Sequence, residues 1–143
     1  MDNKVIDKVA LISISDKKVL TALSKSKSKL YLPGGKREPN ESDIECLKRE
    51  IKEELNVEVQ EDSIRYFETF QAPADGKEAD VIVKMTCYFA DYSGTLQAAS
   101  EIDSFEWITL SDVGRTSAVV RLILGKLKEL DLINYGQPEL LRL

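Results

Sequence analysis

Residues 35–57 read G-K-R-E-P-N-E-S-D-I-E-C-L-K-R-E-I-K-E-E-L-N-V, which sets Arg49, Glu50, Glu53 and Glu54 close together behind a glycine pair, Gly34-Gly35. On a helix turning about 100° per residue, Ile44, Leu47, Ile51 and Leu55 fall in one sector about 80° wide and predict a buried stripe. Glu50, Glu53 and Glu54 then share one flank beside it. Like charges at these spacings each cost a few tenths of a kcal/mol on an isolated helix, and more where water is excluded. Arg49 offsets part of this through an i,i+4 pair with Glu53, but one guanidinium cannot neutralise three carboxylates. Mg²⁺ or Mn²⁺, hard ions that accept oxygen ligands and bridge to phosphates, suit such a cluster. An acidic, solvated helix face fits the same residues when they are considered alone.

The elements around this segment must present those acids. Tyr31-Leu32-Pro33-Gly34-Gly35 predicts a sharp turn where glycine lets backbone approach a ligand closely. Asn40 or Ser42 can cap the helix that follows, and Ser42 with Glu45 has the spacing of a capping box. Glu41 lies on the opposite side of the wheel from the acid cluster, so it is assigned to the helix start and loop, not to metal ligation. Residues 5–15 and 19–24 predict strands joined by a turn at Asp16-Lys17-Lys18, a hairpin or meander. Residues 57–72, 80–92 and 104–110 predict further strands, with a turn at Pro73-Ala74-Asp75-Gly76-Lys77. Val120, Ile123, Leu124, Leu127 and Leu130 recur at helical spacing, so residues 117–130 predict an amphipathic helix packed on the sheet, followed by a tail with Gly136 and Pro138. The alternating serines and lysines of residues 24–29 fit a flexible loop, or a basic lip over a phosphate chain.

The spacing G-x5-E-x7-R-E-U-x-E-E-x-G-U, where U is aliphatic, is met by Gly35, Glu41, Arg49, Glu50, Ile51, Glu53, Glu54 and Val57. By these residues the chain resembles the Nudix hydrolase family. Asn56 replaces the last glycine of that pattern, at a helix end where a left-handed residue is needed and asparagine is the commonest substitute. The resemblance implies an α/β fold, an α/β/α sandwich with a mixed central sheet. It also implies Mg²⁺ (or Mn²⁺) held by Glu50, Glu53, Glu54 and the backbone carbonyl of Gly34, with Arg49 fixing the acids by charge-assisted hydrogen bonds. Relatives often carry a glutamate in the loop before an E-x-W-x strand, and Glu101, ahead of Phe105-Glu106-Trp107-Ile108, matches it. Glu53 ranks first as general base and Glu101 second. Trp107 alternates with its neighbours as in a half-buried strand, which favours sheet packing over base stacking; Tyr31, Phe67 and Phe70 are weaker stacking candidates.

Composition limits the alternatives. A chain of 143 residues, 43% hydrophobic and 31% charged, is long enough for one core and is read as a single domain over residues 1–143. A net charge of −5 disfavours nucleic-acid polymers and anionic membranes as partners, so an anionic substrate must be met by local cations. With no histidine, Ser-His and Cys-His catalysis and imidazole–zinc sites are excluded. Cys46 and Cys87 are expected to be buried thiols. Residues 1–8 lack the features of a secretory signal and no apolar run reaches membrane length, which gives a cytoplasmic reading.

The implied reaction is metal-assisted hydrolysis of a phosphoanhydride in a nucleoside diphosphate linked to another group. A nucleoside or deoxynucleoside triphosphate leads as substrate, because the chain is short and has no obvious N-terminal dimerisation extension. ADP-ribose or a dinucleotide sugar comes second, prompted by Pro73 sixteen positions past Val57. A non-catalytic nucleotide sensor is the reading from another class, disfavoured because every acid of the pattern is present. A homodimer remains compatible with the sequence.

Overall fold

The computed structural model describes residues 4–76 and 80–136, so Met1 to Asn3, Lys77 of the predicted turn and Pro138 of the predicted tail lie outside the described residues. Two layers of helix enclose a layer of strands. β1 (Lys4–Ile12) lies at the centre of a mixed sheet, antiparallel to β4 (Gly34–Lys36) and parallel to β7 (Val81–Phe89), which pairs antiparallel with β6 (Arg65–Pro73). A second, antiparallel sheet is formed by β2 (Ile14–Ser15), β3 (Lys18–Ser24) and β9 (Ile102–Ile108). A short pair, β5 (Glu58–Val59) with β8 (Tyr92–Ser93), completes the strands.

The unbroken apolar run Val9-Ala10-Leu11-Ile12 follows from the place of β1 between two cores. Successive side chains point to opposite faces. Val9 and Leu11 join Leu20, Cys46, Leu47, Ile51 and Leu55 under helix α1 (Asp43–Leu55), with Trp107 packed against them. Ala10 and Ile12 join Val83, Met85, Val120, Ile123 and Leu124 under helix α2 (Ala118–Glu129). The α/β/α sandwich is thus present, and Trp107 packs on the sheet. Phe70 is buried in the α2 core, with Phe67 packed against it.

Helix α1 has the predicted ends. Ser42 Oγ accepts the Glu45 N–H at 3.1 Å while Glu45 Oε1 accepts the Ser42 N–H at 2.9 Å, and Asn56 closes the helix at φ 58°. Its buried stripe differs from the prediction: Ile44 is 37% exposed and Cys46 is fully buried in its stead. Ile44 lies in the first turn, whereas the Cys46 thiol sits against the Gly35 carbonyl of β4. The sector facing the sheet therefore runs from Cys46 to Leu55, about 180° of the wheel.

Several strand assignments shift. Asp16 and Lys17 alone form the hairpin turn, both at positive φ as a two-residue turn of this hand requires, and Lys18 pairs with Ser15 as the first residue of β3. β1 takes its partners from distant chain segments, so the opening hairpin is confined to β2 and β3. The run 57–72 is broken by a 3-10 turn at Glu61–Ser63. Pro73 ends β6 as a strand residue, tolerable because β6 is a sheet edge. β9 starts two residues before the predicted strand and stops before Leu110, which opens a 3-10 helix, Leu110–Arg115. In α2, Leu130 is 47% exposed, and Val119 takes a place in the core that the spacing did not assign.

Candidate active site

The repositioned stripe decides how the acids of α1 are placed. On the wheel, Glu50 and Glu54 fall inside the sector between Cys46 and Leu55, and Glu53 falls about 20° beyond its rim. Accordingly the Glu50 side chain is 16% exposed and that of Glu53 52%. The Glu54 carboxylate reaches β4, where Oε1 accepts the Gly34 N–H at 3.0 Å. Burial pushes the Glu54 carboxyl up to about 8 against the lowering effect of that hydrogen bond, with the negative charges of Glu50 and Glu101 adding to the rise. Glu50 is raised for the same first reason and is partly relieved by Arg49.

A side chain would meet other atoms at both glycines of the turn, backbone at Gly34 and a side chain at Gly35. A Cβ on Gly34, at φ +144°, would lie 2.1 Å from the Val9 carbonyl oxygen. A Cβ on Gly35 would meet the Glu50 carboxylate within 2.4 to 2.6 Å. The absence of a side chain at Gly35 therefore makes room for the Glu50 carboxylate beside the backbone.

Arg49 is the hub of the cluster, but its chief partner is not the one that helical spacing suggests. Nε and Nη2 donate to the two oxygens of Glu41 at 2.7 and 2.8 Å, Nη1 donates to Glu50 at 2.9 Å, and Nη2 also donates to the Lys36 carbonyl at 3.1 Å. The contact with Glu53 is long, 3.5 Å. Glu41 also accepts the Glu38 N–H, which ties it to the loop before the helix. Arg49 holds the Glu41 carboxyl down at about 2, and its own guanidinium is raised beyond its ordinary value. Because Glu41 precedes the helix, no i,i+4 rule could have paired it with Arg49.

Glu101 stands exposed in the loop before β9, which begins immediately after it. Gln97 and Ala99 donate their N–H groups to the carbonyls of Leu55 and Glu54 at 2.9 Å, and Glu101 accepts the Lys25 N–H at 2.8 Å through its carbonyl. These bonds fasten the loop to the end of α1, close enough for the Glu101 charge to act on Glu54.

A cavity of about 100 Å³ opens beside Glu54, Gly34 and Gly35. Ile6, Val83 and Met85 form part of its apolar wall, and Lys8, Lys27, Tyr31 and Asp75 bring polar groups. The lip of residues 24–29 contributes Ser24 and Lys27 to the lining, while the Lys29 amine turns to the Gly114 carbonyl. The sequence reading missed Lys8 and Asp75 here. The signal for Lys8 was a charged pair, Asp7-Lys8, lying between the apolar Val5-Ile6 and Val9 to Ile12 of the same strand.

Among the described residues, no three acid or cysteine side chains stand in a metal-holding arrangement. Glu50 is engaged by Arg49, Glu54 by Gly34, and Glu53 faces outward. The donor chemistry nevertheless suits a hard divalent ion, since the available ligands are carboxylates and a backbone carbonyl. Two of those carboxyls are held above their ordinary range by burial, which a cation would relieve.

A family model described as NUDIX domain matches residues 6–124. The chain belongs to the Nudix family. The fold of this Nudix domain is similar to that of the ORF135 protein of E. coli, at 27% identity and TM-score 0.70, covering 90% of this chain and 92% of the other. It is likewise similar to a MutT NUDIX hydrolase from Burkholderia pseudomallei, at 19% identity and TM-score 0.73, covering 87% and 98%. A bifunctional NMN adenylyltransferase/ADP ribose pyrophosphatase from Francisella tularensis, complexed with AMP and a Mn ion, matches at 22% identity and TM-score 0.65. That likeness covers 89% of this chain and 42% of the other. No curated protein matches significantly. Nudix hydrolases generally use divalent metals and act on small nucleotide substrates, and no helix among the described residues is long and apolar enough to cross a membrane.

Proposed function

We propose that this Nudix domain hydrolyses a phosphoanhydride in a nucleoside diphosphate linked to another group, with a nucleoside or deoxynucleoside triphosphate as the leading substrate. The observation that carries the reading is the Glu54 carboxylate, drawn under the Gly34 N–H beside Glu50 at the mouth of a cavity. Glu50, Glu53, Glu54 and the Gly34 carbonyl are the residues that would hold Mg²⁺ or Mn²⁺. When bound, such an ion neutralises phosphate charge and lowers the pKa of an attacking water.

The protein's own groups do the rest. Arg49 orients Glu50 and partly offsets the effect of burial on its carboxyl; Glu53, half exposed and only weakly held, is free to take a proton from water, with Glu101 as the second candidate for that role. ADP-ribose keeps second place. Pro73 gives it little support, because its position at the end of an edge strand is explained by the sheet alone.

The test is a panel of nucleoside triphosphates, ADP-ribose and dinucleotides with saturating Mg²⁺ or Mn²⁺, reading the released nucleoside monophosphate and its co-product (pyrophosphate, sugar phosphate or second nucleotide) by chromatography, alongside Glu53→Gln. Turnover of triphosphates, reduced by at least a hundredfold in the variant with the fold retained, is the expected outcome. Binding without turnover across the panel would instead make this a nucleotide-sensing module.

A further inference from the structure

Lys8 is a charged group of the cavity wall that neither the family pattern nor the reaction scheme above uses. It projects from β1 on the face of Ile6 and Ala10, between Glu54 on one side and Tyr31 on the other. Its amine lies 5.0 Å from the centre of the Tyr31 ring, and it makes no ion pair or hydrogen bond with any described residue. An ammonium that is half-buried, faces an aromatic ring and feels the Glu54 charge only at a distance has given up water without a direct anionic partner. Neighbouring strands hold its stem: Lys8 is paired with Lys36 of β4 and Met85 of β7, so the amine is confined to the cavity side of the sheet.

We propose that Lys8 is a substrate-contacting residue that binds phosphate oxygens of the nucleotide, and that Tyr31 holds its amine in place when the site is empty. The phosphate chain then lies between the acids of α1 and Lys8, across the backbone of Gly34 and Gly35, with Lys27 of the lip as the nearest further cation lining the cavity. A chain with a net charge of −5 needs such a local cation to receive a polyanion. Lysine supplies it as a point charge on a flexible stem, suited to a phosphate whose oxygens change position as the anhydride breaks. The identity of the anion rests on the hydrolase reading; the binding role does not need turnover.

The experiment is calorimetric titration of inorganic pyrophosphate into the intact protein, in EDTA and again with Mg²⁺, comparing the wild type with Lys8→Met, Lys8→Arg and the distant surface change Lys126→Met. Lys8→Met is expected to weaken pyrophosphate binding at least tenfold under both conditions, Lys8→Arg less than threefold, and Lys126→Met not at all. A second measurement uses only the wild type: pyrophosphate should slow acetylation of Lys8 by an amine-reactive ester, read by peptide mass spectrometry, while Lys126 reacts at an unchanged rate. Unchanged pyrophosphate affinity in folded Lys8→Met, or unprotected Lys8 in the wild type, overturns the assignment. If Lys8 binds pyrophosphate but no nucleotide is turned over, the hydrolase reading fails and the anion site stands. If nucleotides are hydrolysed with the same KM in Lys8→Met, the opposite holds.

Discussion

Arg49 and Glu41 are joined by two parallel hydrogen bonds of 2.7 and 2.8 Å, and the same guanidinium donates a third, of 2.9 Å, to Glu50. Glu41 therefore acts on the acid cluster through Arg49, at a distance that its own side chain does not cover. Its carboxylate, fixed in turn by the Glu38 N–H, sets the plane of the guanidinium, and that plane sets the direction in which Glu50 points.

From this arrangement, Arg49→Lys should lower turnover and metal affinity by about ten- to a hundredfold, because an ammonium cannot serve Glu41 in a fork and Glu50 at once. Glu41→Gln should produce a smaller loss of the same kind. The double variant should be no worse than Arg49→Lys alone, since both changes break one unit. Additive losses in metal titrations of the three proteins would show that Glu41 works independently.

The carboxyls predict stability changes of opposite sign with pH. Glu54, raised to about 8 in the folded protein from an ordinary value of about 4.3, keeps a proton that the unfolded chain has lost. In EDTA, stability should therefore fall as pH rises from about 4.3 to about 8 and then level off. Glu41, depressed to about 2, works the other way: its contribution is complete above about 4.3 and is lost as pH falls toward 2. Thermal unfolding across this range should show the upper slope in the wild type and not in Glu54→Gln. Mg²⁺ should raise the midpoint more at pH 8 than at pH 6, because binding needs the ionised acid.

These relationships mark where sequence was informative and where it was not. The ends of α1 were legible because capping is local: Ser42 and Glu45 are three residues apart, and Asn56 needs only its own backbone angle. The core faces of α2 were legible from spacing, apart from Val119 and Leu130. Arg49 with Glu41, and Lys8 with Tyr31, were not, because each pair joins segments whose approach depends on the sheet. The parallel pairing of β1 with β7 is of the same kind, since nothing in residues 4–12 names its partner. The unequal burial of the three acids was not legible for a smaller reason: Cys46 counts as weakly apolar in a helical pattern, yet it is fully buried and brings Glu50 and Glu54 inside the sector facing the sheet.

Asp75 predicts a separation between capping and sequence position. Ser117 occupies the residue before α2, but its hydroxyl is buried without a hydrogen-bond partner, while Asp75, from the turn after β6, accepts the Ala118 N–H at 2.8 Å. Asp75→Ala should cost about 1 kcal/mol through loss of an acidic cap at a helix N-terminus. Ser117→Ala should be neutral or slightly stabilising, as it removes an unpaired polar group. Chemical denaturation of both variants checks this; an equal loss from Ser117→Ala would return the cap to the serine.

Gly34 and Gly35 are adjacent, yet replacing them should fail in different ways. Gly34→Ala places a methyl 2.1 Å from the Val9 carbonyl oxygen on a backbone at φ +144°, and neither the strand nor that angle can yield cheaply. It should destabilise the fold by several kcal/mol. Gly35→Ala meets only the end of the Glu50 side chain, on a backbone that any residue can adopt, so the carboxylate can swing away. That protein should fold with nearly normal stability while losing metal affinity and turnover by at least tenfold, because Glu50 leaves its place beside Arg49. Denaturation and metal titration run together separate the two: a Gly35→Ala protein that is stable and binds metal like the wild type would remove the Gly35–Glu50 contact from the site.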